Sequence, residues 1–598
     1  MGKKFPVKSY RENALSFYAT KNIIFNLLLK LFDYLIVPLC ILTLAFDPNF
    51  LHGIVNHFES GHYLSVLNGI FEGKIPYKDF FVLFGPLQLY VIAFAMILFG
   101  KSLSVLMSYF YANYLLNLLV IYFLGRAVCK NRFFICLIPF ICLLEVTHPF
   151  WAARYDYGRT GLGILALLLL INFLKKKNSR LLFFIGSVSC IILLYSIDIG
   201  VFTIISSIFF FAGLALAQKD NLLKGKLLFF LRISARYSIG ALIVFIAFLL
   251  FLSLNGALFA FIETTSGIIK YHMKVWGQHI PPFEDALKDG GGILLLIKNM
   301  VFKLYLPITL YTATFLYLVI SFVKKRWDED KAIILLLFIY GVLVYKASFR
   351  AITGPQFQVA LPPLIILTVL FLEKSANVLF AIYSQFKKTG LLKKYELFKV
   401  ISIALFFVIF FSYILISPKR YYGTFGGWIN YQSTKKYLTV TDMHPLPINK
   451  IKLVKSNIKK IGVSMIPDWQ ASTMESTVAY LKNNTRIGEE VFCFPEESLY
   501  NFLADRPAFS RFYIAAYAWS NPKWRLELLN EFITKKPRIV LSSNLLSNMA
   551  ECAGRSKELF PEIRKLIANK YHVVAKFYDI IIYERNEQIK ESGLLRNP

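Results

Sequence analysis

Residues 199–217 read IGVFTIISSIFFFAGLALA, a stretch of 19 residues without a charged side chain. As a helix this stretch rises about 28 Å, which matches the ~30 Å hydrocarbon core of a bilayer. Asp198 precedes the stretch, and a basic cluster that begins at Lys219 follows it. The stretch therefore predicts a membrane-spanning helix.

The composition extends this prediction to most of the chain. Of the 598 residues, 56% are hydrophobic and 17% are charged, whereas about 25% charged is usual for a soluble protein. A soluble globular protein is therefore excluded. The net charge of +31 is interpreted as basic cytoplasmic loops, because Lys and Arg accumulate on that side of membrane proteins. We expect membrane lipids as partners and no nucleic acid.

Similar apolar stretches recur as far as residue 417, and the resulting fold class is mainly α. We predict a polytopic bundle of about 11 spans, with the N-terminus in the cytoplasm. The predicted spans are 24–46, 103–124, 133–150, 160–174, 181–197, 199–217, 236–254, 301–323, 331–346, 356–372 and 398–416.

Basic clusters between the spans fix the predicted orientation. If all of them are cytoplasmic, the outward segments are 47–102, 151–159, Asp198, 255–298, 347–355 and everything after 417. Residues 84–99 disturb this count because they are apolar enough to cross. We interpret them as a helix in the outer interface, within the first outer loop (about 47–102). The alternative is that another span is miscounted.

A change in polarity after Ser417 predicts two domains, namely 1–417 in the membrane and 418–598 as an extracytoplasmic α/β domain. The second has ordinary polarity and no spanning run. Its predicted strands are 490–494, 537–541 and 573–583, and its predicted helices are 496–503 and 524–533.

The first outer loop carries the most informative polar residues. Glu59 and His62 follow a span closely, and Lys78 and Asp79 lie in a basic, aromatic strip farther on. A carboxylate near a surface of low dielectric constant has its pKa raised and can serve as a general base. The alternative is that Glu59 caps the following helix or faces solvent.

Three further outward segments contain candidate binding residues. Arg154, Asp156 and Arg159 lie in a short loop, where the alternative is a local ion pair. Lys274 lies in the 255–298 loop, which is either a flap over an acceptor or a plain connection. Lys346 and Arg350 end a span and could hold a phosphate or reach lipid headgroups.

Taken together, these pieces resemble the GT-C superfamily of polytopic glycosyltransferases, and more narrowly its protein-mannosyltransferase and aminoarabinose-transferase-like branch, which is similar to glycosyltransferase family 39. Many relatives carry an Asp-Glu pair in the first loop, whereas Phe58 precedes Glu59 here, so Asp79 is a second candidate base. The resemblance rests on HFESGHYL at 57–64, GKIPYKDF at 73–80, Gly-Pro-Leu at 85–87, Arg154 and Asp156, Ser348 and Arg350, and the tail segments 480–485, 488–495 and 499–507.

This resemblance implies a fold, a substrate class and a reaction. A sugar on a polyprenyl phosphate is transferred to a glycan, lipid or protein acceptor on the outer face of a bacterial inner or plasma membrane, with inversion. Glu59 is the implied base, and Arg350 with Lys346 or Arg159 the implied phosphate site. Asp156 would orient the acceptor, the sugar or a metal; the resemblance fixes no cofactor and leaves a divalent metal open. His62, Lys78, Asp79, Arg154 and Lys274 are the remaining candidate substrate-binding residues.

A transporter or flippase of a lipid-linked glycan, with an exported sensor domain, is the alternative function. Such a protein is expected to carry charged residues along the interiors of its spans. In this chain the charges concentrate in the loops, and the sequence therefore favours the transferase.

We predict that Arg350→Ala raises the Michaelis constant for the prenyl-phosphate donor about tenfold or more and leaves that for the acceptor nearly unchanged, because a bidentate guanidinium is lost from the leaving phosphate. Steady-state kinetics with each substrate varied in turn measures both constants. Equal increases in the two constants would contradict a phosphate role.

Overall fold

The computed structural model describes residues 26–145, 152–218, 223–272, 280, 282–284, 300–349, 355–386, 452–543 and 559–586. Within them, eight helices are long and apolar enough to cross a membrane. The chain is a multi-pass integral membrane protein, mostly helical, with a small C-terminal sheet. The predicted fold class is therefore confirmed.

The helices of the membrane part are numbered along the described residues. The first helix contains a π-helical turn at Phe32–Ile36, and another such turn, Ile268–His272, follows α10. The helices are α1 (Asn26–Ala45), α2 (His57–Phe71), α3 (Pro86–Phe99), α4 (Leu103–Val128), α5 (Arg132–Glu145), α6 (Gly158–Lys176), α7 (Ser179–Tyr195), α8 (Ile197–Leu216), α9 (Leu223–Leu254), α10 (Leu258–Gly267), α11 (Met300–Val323), α12 (Glu329–Ser348), α13 (Pro355–Gln358) and α14 (Pro362–Phe386).

Ten of the predicted spans correspond to helices, and the eleventh, 398–416, lies outside the described residues. Two of the ten, α5 and α7, are shorter than the eight long helices. One boundary is wrong: the predicted span 236–254 begins too late, because α9 begins at Leu223 and continues for 32 residues. Lys224, Lys226 and Arg232 of the basic cluster therefore lie on the first turns of this helix. Long basic side chains are compatible with a helix that extends beyond the hydrocarbon.

The segment 84–99 forms α3, which has 14 residues. A helix of that length rises about 21 Å, less than the thickness of the hydrocarbon core. Its N-cap, Gly85, lies so close to the end of α7 that a side chain there would overlap the carbonyl oxygen of Leu194. The position of α3 in the membrane interface stays a prediction.

A close helix crossing between α7 and α9 depends on two glycines. A side chain at Gly186 would overlap the carbonyl oxygen of Tyr237, and a side chain at Gly240 would overlap that of Phe183. The Ser187 hydroxyl also donates to the Gly240 carbonyl at 3.0 Å. Small residues allow such approach between membrane helices, where packing and hydrogen bonds replace the hydrophobic effect.

The C-terminal domain is built on a four-stranded sheet of order β3-β4-β6-β5, in which β3 and β4 are parallel and the other pairs antiparallel. A separate antiparallel pair joins β1 and β2. The elements are β1 (Leu453–Lys455), β2 (Met465–Pro467), α15 (Asp468–Asn484), β3 (Phe492–Phe494), α16 (Leu499–Ala504), α17 (Ala515–Trp519), α18 (Pro522–Lys535), β4 (Ile539–Ser543), α19 (Pro561–Lys570), β5 (Tyr571–Phe577) and β6 (Ile580–Arg585), with a 3-10 turn at Lys459–Ile461.

Two corrections apply to this domain. The single strand predicted at 573–583 is a hairpin, β5 and β6, that turns at Tyr578 and Asp579, where Tyr578 has a φ of 53°. The apolar pattern continues through both strands and hides the turn. The 17-residue helix α15 was not predicted, because its sequence is polar overall and buries only one face.

The first outer loop packs directly against the C-terminal domain. Gly53 donates its amide to the Met465 carbonyl, and Phe81 donates to that of Arg511, both at 2.9 Å. Helix α2 touches α16 so closely that a side chain on Gly61 would lie 2.7 Å from Ser498 Oγ and 2.9 Å from Leu499 N. The loop and the domain therefore lie on the same side of the membrane, as the predicted topology requires.

We predict that Gly240→Leu lowers the free energy of unfolding by about 1–3 kcal/mol or more, because the added atoms force α7 and α9 apart. Thermal unfolding of the purified chain in detergent measures the change. Ala247→Leu is the matched control, since Ala247 lies on an exposed part of the same helix. Equal stability of the two variants would contradict the role of the crossing.

Candidate active site

Helix α2 places Glu59 in its first turn. Asn56 caps the helix by accepting the Glu59 amide proton at 3.1 Å, a capping arrangement that Asn favours. The Glu59 side chain is partly buried. Burial raises its pKa from the usual 4.5 to about 7, although the charge of Arg159 opposes the shift. Glu59 therefore has the pKa of a general base that works near neutral pH.

His62, one turn after Glu59, is buried and faces the C-terminal domain. Its Nδ1 lies 2.5 Å from the Tyr517 hydroxyl and 3.3 Å from the Tyr513 hydroxyl. Burial, assisted by the charge of Arg159, lowers the pKa of His62 to about 3. Its imidazole is therefore neutral at physiological pH, and its Nδ1 forms the contacts with the two tyrosine hydroxyls.

Arg159 is the cation nearest to this group, and it is bound within the protein. Its Nη2 lies 2.9 Å from Asp198 Oδ2, and its Nε donates to Ser196 Oγ at 3.0 Å. Its guanidinium also lies 3.4 Å from the centre of the Phe84 ring. The sequence does not indicate a partner for Asp198; the structure supplies Arg159, 39 residues away.

Phe84 connects this cation to His62. The Phe84 and His62 rings meet edge to face, with their centroids 5.3 Å apart. The Phe84 carbonyl accepts the Ile197 amide at 3.1 Å, which holds the segment before α3 on the turn between α7 and α8. The sequence indicates the motif Gly-Pro-Leu at 85–87 but does not identify Phe84 as part of the site.

Asp156 is buried and accepts four hydrogen bonds. Asn113 and the Gly158 amide donate to Oδ1 at 2.9 and 2.8 Å, and Gln88 and Tyr195 donate to Oδ2, both at 2.6 Å. These donors occupy both carboxylate oxygens, so this surrounding does not fit a metal ligand. Among the described residues, no group of three His, Cys, Asp or Glu could hold a metal ion.

The other predicted residues of the outer loops have structural partners. Arg154 is buried and donates to the carbonyls of Ile54 and His52, both at 2.9 Å; burial lowers its pKa to about 10. Lys78 donates to the Asn255 carbonyl at 3.2 Å, and Asp79 accepts the Ile75 amide at 2.6 Å.

Two predicted residues lie outside the described residues, namely Lys274 and Arg350. Lys346 is described, and its exposed ammonium lies 5.4 Å from the Phe349 ring centre. The role of Lys346 and Arg350 in binding a phosphate stays a prediction. The start of the 255–298 segment is described: α10 lies against Trp524, whose indole donates to Glu263 at 3.4 Å.

Gln470 of α15 holds the chain just before α2, which the sequence did not indicate. Its Oε1 accepts the Val55 amide at 2.9 Å, and its Nε2 donates to the Val55 carbonyl at 3.0 Å. Its Nε2 also lies 3.2 Å from His57 Nε2, and His57 Nδ1 lies 3.0 Å from Glu497 Oε2. Because Val55 fixes the amide orientation, His57 Nε2 is an acceptor and Nδ1 carries the proton.

Two solved structures are similar to this chain. ArnT from Cupriavidus metallidurans bound to undecaprenyl phosphate is 12% identical, with a TM-score of 0.46 and coverage of 92% of this chain and 97% of that chain. The archaeal oligosaccharyltransferase AglB from Archaeoglobus fulgidus, in complex with an inhibitory peptide and a dolichol-phosphate, is 12% identical, with a TM-score of 0.47 and coverage of 94% and 75%. No protein-family model and no curated protein matches the chain.

We predict that Gln470→Ala destabilises the chain by about 1–3 kcal/mol, because the buried amide and carbonyl of Val55 lose their partners. Hydrogen exchange of the peptide that spans residues 53–60 should increase, and thermal unfolding should occur at lower temperature. Ser472→Ala, on an exposed position of the same helix, is the control. Unchanged exchange at 53–60 would contradict the proposed hold on α2.

Proposed function

We propose that the chain is a glycosyltransferase that moves a sugar from a polyprenyl phosphate to an acceptor hydroxyl at the outer face of the membrane, with Glu59 as the general base. The observation that carries the proposal is a carboxylate with a pKa near 7, at the junction of the membrane bundle and the C-terminal domain. A perturbed pKa of this kind is typical of functional sites.

The proposed reaction needs one base. The acceptor oxygen attacks the anomeric carbon and forms a new carbon–oxygen bond, while the bond from that carbon to the phosphate oxygen breaks. The phosphate leaves with the electron pair, and Glu59 takes the hydroxyl proton. Because a phosphate leaves without protonation, one carboxylate suffices. A direct displacement inverts the anomeric centre.

Arg159 supports this role of Glu59 from a distance. Its charge opposes the rise of the Glu59 pKa, but Asp198 neutralises much of that charge. We infer that Arg159 positions Phe84 and tunes Glu59, and that it does not hold the phosphate, since its side chain is 4% exposed. The leaving phosphate is assigned to Arg350 and Lys346, as the sequence predicts.

Asp156 is assigned a positioning role in the same proposal. Its four donors come from α3, α4, the first residue of α6 and the last residue of α7, and it therefore ties these four helices together. Hydrogen bonds to a charged acceptor contribute more than neutral ones. No step of the proposed reaction uses a metal.

We predict that Glu59→Gln lowers the rate of transfer at least about 100-fold and leaves the chain folded, because a general base contributes about 10²–10⁴. Labelled-sugar transfer from a prenyl-phosphate donor measures the rate. In the wild type the rate should rise as the pH rises through about 7, because Glu59 must ionise. Glu329→Gln, in an exposed surface pair, is the control. Wild-type turnover in Glu59→Gln would remove Glu59 from the mechanism.

A further inference from the structure

A groove of about 700 Å³ lies between α2 and the C-terminal domain, and none of the roles above uses it. One wall is the C-terminal half of α2, from Ser65 to Glu72. The opposite wall is the segment 505–511 with one face of α18. Lys74, Asp79 and Phe80 of the first outer loop close one side, and Lys101 lies at the start of the next membrane helix.

The charges that line the groove nearly cancel. Arg511 forms a two-point ion pair with Glu527, at 2.6 and 2.7 Å, and Lys535 pairs with Glu531 at 2.7 Å. A polyanion is therefore not favoured. The charged lining residues are Lys74, Lys101, Arg506, Arg511 and Lys535 on the basic side and Glu72, Asp79, Glu490, Asp505, Glu527 and Glu531 on the acidic side.

The apolar side chains of the groove do not form a deep pocket. Phe80, Phe509 and Tyr513 are buried in its walls, whereas the charged side chains of the lining supply donors on the basic residues and acceptors on the acidic ones. Val491, just before strand β3, pairs with Ala508 of the groove wall and donates its amide to the Pro507 carbonyl at 3.1 Å, so this backbone donor is not free to bind an extended peptide. A sugar hydroxyl is both donor and acceptor, and a chain of such hydroxyls matches this mixed lining.

The groove is connected to the site around Glu59. Tyr513 lines the groove, and its hydroxyl lies 3.3 Å from His62 Nδ1. Along α2, Val66 in the groove wall lies two turns after Glu59 on the same face of the helix, about 10.5 Å along its axis at 1.5 Å per residue. A ligand in the groove thus lies within a few sugar units of the carboxylate.

We propose that this groove binds a neutral, hydroxyl-rich saccharide chain, and that this chain is the acceptor of the reaction. The proposal rests on the proposed function, since it names the acceptor class for the base at Glu59. The groove holds the saccharide on the water side of α2, and the acceptor hydroxyl at its end reaches Glu59.

The test varies the groove and leaves the base intact. Asn68→Trp fills the groove, and Asn530→Trp places the same side chain on an exposed position of α18 as the control. Each full-length variant is assayed with a labelled prenyl-phosphate sugar and, as acceptor, membranes of the source cell. Slow hydrolysis of the donor without acceptor is measured in parallel.

Asn68→Trp is expected to raise the apparent Michaelis constant for the acceptor at least tenfold and to leave donor hydrolysis unchanged, with Asn530→Trp like the wild type. Periodate treatment of the membranes, which cleaves vicinal diols, should abolish their acceptor capacity, whereas protease treatment should not. An unchanged acceptor constant in Asn68→Trp, or an acceptor that protease removes and periodate spares, would overturn the groove proposal alone. A wild-type chain that neither hydrolyses nor transfers would overturn the transferase proposal and this one with it.

Discussion

The contact of α2 with the Ser498 side chain and the Leu499 backbone is the constraint on which the site depends. Gly61 permits it, because any side chain at this position would lie 2.7 Å from Ser498 Oγ and 2.9 Å from Leu499 N. Glu59 and His62 flank Gly61 on the same helix. The close contact between the C-terminal domain and α2 therefore also buries the carboxylate of Glu59 and the imidazole of His62. Burial is the first cause of both pKa shifts.

The electrostatics of the site follow from how its charges are paired. Arg159 near Glu59 would by itself hold the carboxylate ionised and its pKa low. Asp198 lies 2.9 Å from that guanidinium and reduces its field, so burial prevails and the pKa of Glu59 rises. Burial and the charge of Arg159 also act on His62, and both lower the pKa of its imidazole. Burial thus separates the protonation behaviour of two neighbouring groups, and the Arg159–Asp198 ion pair modulates that separation.

The sequence could predict what depends on local pattern. The uninterrupted apolar stretch at 199–217 forms most of α8, because this signal is contained in a short part of the sequence. The role of Glu59 as a base stays a prediction. The missing partners are distant: Asp198 is 39 residues from Arg159, and Gln470 is 415 residues from Val55. No periodicity encodes such pairs. The β5–β6 hairpin was missed for a different reason, since its turn at Tyr578 and Asp579 interrupts neither strand's apolar pattern.

The position of α2 also suits a reaction between a lipid-borne and a water-borne substrate. On one side, α3 begins beside Phe84 and exposes Phe94, Ile97 and Leu98, each more than half exposed, a surface that is stable only against lipid. On the other side, α2 faces the polar groove of the C-terminal domain. A prenyl chain is soluble in lipid and a saccharide in water. A helix that lies between these two media places one carboxylate within reach of both substrates. This arrangement suits the proposed base, Glu59, which lies on a loop helix and not inside a span, where an ionised carboxylate is costly.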